Sequence, residues 1–210
     1  MKRNFKATYI PPSSPAPVSA PSSSSSSSSS SGPAASCASD GESVIKFYGA
    51  RNANGCFSNF SAHPILLRGK QWPTTEHYFQ AQKFAGTPME ETIRLADTPA
   101  RAKKLGRSHK ATRRADWEKV KDDYMYKCVL AKFSQHVSIR RTLLDTGDAL
   151  LVEHTSADSY WGDGGDGSGK NMLGKILMRV RDELRGQQEP TNKAQKASRG
   201  TLVNKRNNDT

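Results

Sequence analysis

An unbroken serine run, Ser22–Ser31, stands among Pro11, Pro12, Pro15, Pro17, Pro21 and Pro33 and removes the first forty residues from any folded core. Such a segment buries almost no apolar surface and cannot offset the entropy of ordering its backbone. The end of the chain reads alike. After Arg185 the residues are mostly Gln, Glu, Pro, Asn, Lys and Ser, with Leu202 and Val203 the large aliphatics. Residues 1–40 and 186–210 are therefore expected to be disordered tails, the first Ser/Pro-rich and the second basic. What folds is residues 41–185, enough for one domain and not two.

Charge narrows the partners. The formal net charge is +12; Lys2, Arg3 and Lys6 against Asp40, and five basic against two acidic residues after position 185, leave about +7 on the core. A basic surface favours a phosphorylated metabolite, a dinucleotide or a nucleic acid without choosing among them. The three cysteines, Cys37, Cys56 and Cys128, are odd in number and lack CxxC spacing, which argues against a disulfide scaffold and a zinc site. The start, Met1-Lys2-Arg3-Asn4-Phe5-Lys6, has no apolar h-region, and no stretch approaches the roughly 20 apolar residues that span a bilayer. The expected place is cytoplasm or nucleus.

Within the core, Val44–Tyr48, Phe57–Phe60, Ile65–Leu67 and Leu150–Glu153 read as short strands or extended segments. Helices are expected from the Pro73-Thr74-Thr75 cap to Ala85, from Pro88 to Leu95, and from Thr98-Pro99 to Gly106. Others are expected over Ala115–Gln135, Ile139–Leu144 and Met172–Leu184. On the longest, Trp117, Val120, Tyr124, Cys128 and Ala131 form an apolar stripe. The sum is a helix-dominated α+β single domain with a small β-sheet. Helices and strands do not alternate, so a doubly wound fold is not expected.

Two segments carry chemistry. Tyr160–Asn171 holds five glycines in eight residues just before a helix, so backbone amides there could face an anion. It nearly matches a P-loop through Gly164, Gly169 and Lys170, but Asn171 stands where Ser or Thr would hold magnesium. An EF-hand fails too, because the positions two and four after Asp163 are glycine. The other segment is Trp72–Phe84. Helical spacing sets Glu76, Gln80 and Lys83 on one face, with Tyr78, Phe79 and Phe84 around them: a polar stripe able to line a pocket. The histidines have no mutual metal spacing, and no nucleophile elbow is present.

Taken together, Phe47-Tyr48, Phe57–Phe60, Trp72–Phe84, Leu105-Gly106-Arg107, Trp117, Leu151–Thr155 and Trp161–Gly174 resemble the NADAR family, also called YbiA-like. The resemblance covers nearly the whole core and neither tail. It implies an N-glycosidase acting where ribose C1 meets an exocyclic base nitrogen. Two substrate classes go with it: ribosylamino-pyrimidine phosphates of riboflavin biosynthesis, and ADP-ribose on the guanine amino group of nucleic acid. The basic charge leans toward the second. In the mechanism this implies, Glu76 stabilises charge at C1 or activates water, with Asp163 as second carboxylate. Lys83 would capture the ring-opened imine as a Schiff base, provided desolvation outweighs the carboxylate that keeps it protonated. Asn59, Trp117, Trp161, Gly162, Gly164, Gly165 and Asn171 are expected to contact substrate; Arg107, Lys170 and the glycine-loop amides are expected to bind phosphate. No metal and no cofactor is expected. The competing readings are a non-catalytic ADP-ribose or NAD binder, and a basic nucleic-acid binder without chemistry.

Overall fold

The computed structural model describes residues 43–108 and 112–187, all of which fall in one compact unit. The Ser/Pro-rich tail and all but the first two residues of the basic tail lie outside the described residues. Strand β1 (Val44–Phe47) pairs in parallel with β4 (Leu150–Glu153), setting Phe47 beside Glu153. Strands β2 (Ile65–Leu67) and β3 (Lys70–Trp72) form a separate antiparallel hairpin. Its two-residue turn, Arg68-Gly69, has positive φ at both positions, the geometry that matches strand twist in a tight hairpin. The strand content is thus small, and it is divided between two ladders.

Among the described residues six helices supply the rest: α1 (Thr75–Ala81), α2 (Pro88–Arg94), α3 (Pro99–Gly106), α4 (Trp117–Gln135), α5 (Val137–Leu144) and α6 (residues 172–187). Helix α1 is the centre of the packing, against α2, α3 and α4, and every residue in it is buried. A seven-residue helix cannot stand alone in water; its neighbours hold it. Thr74 caps it, its hydroxyl accepting from the His77 amide at 3.4 Å. Thr98 caps α3 in the same way, with Pro99 at the first position. The buried face of α4 is wider than the expected stripe. Trp117, Tyr124 and Cys128 are in the core with Met125, Val129, Lys132 and Phe133, while Val120 and Ala131 are only partly buried.

Lys132 is fully buried, and its ammonium donates to Cys56 O at 2.7 Å, Ser58 O at 3.1 Å and Ser61 Oγ at 3.2 Å. This explains a departure from expectation. Phe57–Phe60 is not extended: a 3-10 turn over Gly55–Phe57 curls the chain so that its carbonyls converge on that ammonium. The helix expected to continue to Ala85 also stops early, at Ala81, and tightens into a 3-10 turn over Gln82–Phe84. The strand at Lys70–Trp72 is a further difference; its Gln71 and Lys70 show no apolar alternation, and its partner β2 fixes it.

Candidate active site

The expected polar stripe of α1 opens into a pocket of about 260 Å³ lined by α1, α3, the start of α4, the 58–60 turn, the end of β4 and the loop after it. Glu76 forms part of its floor. It is 5 % exposed, its backbone N–H donates to Asn59 O at 3.1 Å, and its Oε1 accepts from Gln80 Nε2 at 2.8 Å. Burial raises its pKa, against the lowering effects of the Gln80 hydrogen bond and of Lys103, Lys83 and Arg107. Gly106 lets α3 come close here: a Cβ at that position would lie 2.1 Å from Gln80 Oε1.

Lys83 sits in the 3-10 turn that continues α1. Its ammonium donates to Gly106 O, at the negative end of α3, at 3.3 Å. The same nitrogen is 5.7 Å from the Phe79 ring centroid and 5.6 Å from that of Trp117. Burial among these rings pushes its pKa down to about 8, although Glu76 opposes the fall. Desolvation therefore outweighs the carboxylate, and a usable fraction of Lys83 is neutral near pH 7–8.

The walls are aromatic. Trp117 is buried, stacked on Tyr124 at 6.1 Å and tilted against Phe79 at 5.0 Å, so it is both core and pocket wall. Trp161 is half-buried and meets Phe79 edge-on at 5.2 Å. Asp158 Oδ1 fixes the turn that presents it, accepting from Tyr160 N at 2.9 Å and Trp161 N at 2.8 Å. Tyr160 donates its hydroxyl to Asp122, and Lys121 Nζ lies 3.6 Å from its ring centroid. Asn59 lines the pocket, but its side chain is already engaged: Oδ1 accepts from Thr75 Oγ1 at 3.0 Å and Nδ2 donates to Met125 Sδ at 3.3 Å. Lys103, Arg107 and Lys121 put positive charge on the lining.

Asp163 is not in this pocket. Its carboxylate is 5 % exposed and faces a separate groove with His154 and Asn171. Oδ2 pairs with His154 Nδ1 at 2.7 Å, and Oδ1 accepts from Thr155 N at 3.1 Å and Gly165 N at 2.9 Å. His154 and those amides hold its pKa down at about 2, so it has no proton to give at neutral pH. The glycine loop corrects a second expectation. Gly167 N and Gly169 N both donate to Asp163 O, Lys170 N to Ser159 O, and Asn171 N to Gly162 O, so the loop spends these amides on itself and not on an anion. Gly162, Gly164, Gly165 and Asn171 are likewise outside the pocket lining. Asn171 serves β4: its Oδ1 accepts from Glu153 N at 3.1 Å and its Nδ2 donates to Leu151 O at 2.8 Å. Lys170 is exposed and reaches the site only through Tyr160, 5.2 Å from that ring's centroid.

The structure also brings in residues that sequence reasoning missed. Glu153 ends β4 in the pocket, and Lys103 reaches in from α3. A charged residue closing an apolar strand, Leu150-Leu151-Val152-Glu153, was the available signal for Glu153. Among the described residues no three His, Cys, Asp or Glu side chains converge as metal ligands, and no helix is long and apolar enough to cross a membrane.

An acidic floor, a part-neutral lysine and aromatic walls, with four basic and four acidic side chains around the lining, define an enzyme-type pocket. The chain belongs to the NADAR family, whose domain model matches residues 46–185. It is similar to N-glycosidase YbiA of Escherichia coli, 50% identical over 143 residues that cover 68% of this chain and 89% of that one. N-glycosidase Npun_R5314 of Nostoc punctiforme is 49% identical, covering 68% of this chain and 93% of that protein. The riboflavin biosynthesis protein VVA0006 of Vibrio vulnificus is 42% identical across 68% of this chain and 39% of its own length. The NMR structure of E. coli YbiA superposes with a TM-score of 0.65 at 49% identity, covering 70% of this chain and 87% of that one. The helix-dominated α+β fold is the family's, and the chain is an enzyme of its N-glycosidase class, a hydrolase acting on N-glycosyl compounds.

Proposed function

We propose that this N-glycosidase releases ADP-ribose from the exocyclic amino group of guanine in nucleic acid, through a covalent imine on Lys83. The observation that carries the reading is the Lys83 amine, buried between Phe79 and Trp117 with a pKa near 8 and in one pocket with the Glu76 carboxyl. In an exocyclic glycosylamine the nitrogen lone pair expels the ring oxygen, which takes up a proton, and leaves an imine at C1. The neutral Lys83 amine adds to C1, and the base nitrogen then departs. Water adds to the resulting lysine imine and frees an aldehyde that recloses to the sugar. Glu76 accepts the proton that Lys83 must lose; its raised pKa makes it a competent base, and its bond to Gln80 holds it in position. Trp117 and Trp161 offer faces for base or ribose.

Substrate choice rests on charge. Lys103, Arg107 and Lys121 stand on the lining among Glu118, Glu153 and Asp158, so the preference comes from the +12 net charge of the whole chain, which favours a polyanion. The name of the Vibrio relative supports a second reading, a phosphorylated ribosylamino-pyrimidine of riboflavin biosynthesis. It places ribose C1 on the same kind of nitrogen and needs the same chemistry. The bacterial relatives favour cytoplasm over nucleus.

The test uses wild type and Glu76→Gln on an oligonucleotide carrying ADP-ribosylated guanine and, in parallel, on the ribosylamino-pyrimidine phosphate. Mass spectrometry follows the released sugar. Release from the oligonucleotide, lost in the variant by more than about 100-fold, is the expected result. Release from the pyrimidine alone makes the second reading correct. No release from either, with ADP-ribose still bound, overturns both in favour of a non-catalytic binder.

A further inference from the structure

Glu153 has no place in the chemistry so far, yet the fold goes to some length to hold it. It is the last residue of β4, where the parallel ladder ends against Phe47, and it lines the same pocket as Glu76 and Lys83. Its backbone is gripped on both sides by the glycine loop. The N–H donates to Asn171 Oδ1 at 3.1 Å, and the carbonyl accepts from Asp163 N at 2.9 Å. Gly162 packs so tightly behind it that a Cβ would lie 2.8 Å from Glu153 O. The next residue is tied back as well, His154 N to Phe47 O at 3.0 Å and its ring to Asp163. The loop that resembles an anion cradle is thus a bracket for one strand end, and what that end presents to the pocket is a carboxyl. Stability alone does not call for a carboxyl there, since it is brought close to other acids and partly out of water.

We propose that Glu153 is a catalytic acid of this pocket, delivering the proton to the base nitrogen as that nitrogen leaves ribose C1. The inference rests on the N-glycosidase reading above. Glu76 is held by Gln80 and, in that reading, takes the Lys83 proton; Glu153, on a different element of the same pocket, is free to serve the leaving nitrogen. In the step itself, the C1–N electron pair goes to the base nitrogen, which takes the Glu153 proton and departs as the free amine. The Lys83 nitrogen pair closes the protonated imine, and Glu153 is left ionised. The water that later adds to the imine carbon returns a proton to it. The charged groups around Glu153 are Glu76 on α1, Lys103 on α3, and Asp158 and Asp163 in the loop. Burial first and then the neighbouring carboxylates push its pKa up to about 7, against Lys103, which suits an acid at neutral pH.

The test is Glu153→Gln in the full chain, on whichever of the two substrates the wild type cleaves. Turnover at pH 7 is expected to fall by more than about 100-fold. The variant is still expected to form the Lys83 adduct when free ADP-ribose or ribose 5-phosphate is supplied with borohydride, because no base has to leave. Wild-type turnover is expected to decline above pH 8, where Lys83 is already neutral and Glu153 goes on ionising; in Glu153→Gln that decline is expected to vanish, leaving a plateau set by Lys83. Glu153→Asp, one methylene shorter, is expected to turn over more slowly and keep the alkaline decline; it serves should the glutamine variant not fold. Near wild-type turnover in Glu153→Gln overturns the proposal. So does a folded variant that loses turnover and adduct together, which marks a structural role, or an alkaline decline absent from Glu153→Asp. A wild type that cleaves neither substrate fails earlier, at the glycosidase reading, and takes this inference with it.

Discussion

Replacing Asp163 by alanine separates a structural from a catalytic carboxylate. The side chain accepts three hydrogen bonds, from His154 Nδ1, Thr155 N and Gly165 N, while itself nearly buried. The alanine variant leaves two backbone amides without acceptors, each costing about 1–3 kcal/mol when water cannot reach it. His154 is partly exposed and can hydrate, so it adds little. The expected loss is about 3 kcal/mol at pH 7, measured as a shift of the urea midpoint at unchanged slope. A second sign comes from pH. The folded pKa of Asp163 is depressed to about 2 from 3.8, so its stabilisation is present above pH 4 and lost as pH falls through about 2. The alanine variant should lack that acid-dependent component. Activity should fall with the folded fraction and with the loosened grip on Glu153, while the borohydride adduct at Lys83 persists in the folded protein. An unchanged urea midpoint with abolished turnover would refute this reasoning and return Asp163 to the chemistry.

Three further outcomes are expected. Gly162→Ala forces a Cβ to within 2.6 Å of Thr155 Cγ2 and 2.8 Å of Glu153 O, and should cost about 1–3 kcal/mol by thermal or chemical unfolding, with a parallel drop in turnover. Lys83 and Lys132 have folded pKa values of about 8 against 10.5 for the free side chain, so the unfolded chain binds more protons and stability should rise from pH 8 to 9. Above pH 9 the buried Cys128 thiol, pushed up to about 12, works the other way; Lys132→Met should flatten the rise in denaturation midpoint and, with three oxygens left unpaired, lower stability throughout. Arg107→Ala should raise KM for an anionic substrate more than it lowers kcat, with a weaker salt dependence than wild type.

Most of the helices could be read from capping and periodicity. Thr98-Pro99 marks the start of α3 in sequence as in structure, and Trp117 to Gln135 needed only its own pattern. The face of α1 was legible too: helical spacing alone put Glu76, Gln80 and Lys83 together, and one pocket holds them. What escaped was set by distant partners. Phe57–Phe60 has strand-like composition, but the Lys132 ammonium from α4, bonded to Cys56, Ser58 and Ser61 at 71 to 76 residues' separation, bends the chain around it. The glycine loop carried a strong local signal, and that signal had two physical meanings. Closely spaced glycines free amides for a ligand, or they let the chain fold tightly on its own carbonyls. Only the tertiary hydrogen bonds of Asp163 distinguish them. Glu153 left only a weak signal for a similar reason, since a single acid closing an apolar strand acquires meaning only when α1 and α3 are packed across from it.

Helix α1 is at once wholly enclosed and the element that bears Glu76 and leads into Lys83. Proteins often hang their reactive groups on loops that can loosen while the scaffold stays intact; here two of the reactive groups, Glu76 and Lys83, stand on the scaffold itself, its seven residues and the turn that follows. A form of this protein that has lost the geometry of Glu76 and Lys83 but kept its body is therefore not available. Thermal inactivation and global unfolding should trace one curve, and a ligand that fills the pocket should act as a staple on the whole domain, raising its melting temperature in proportion to the logarithm of ligand concentration.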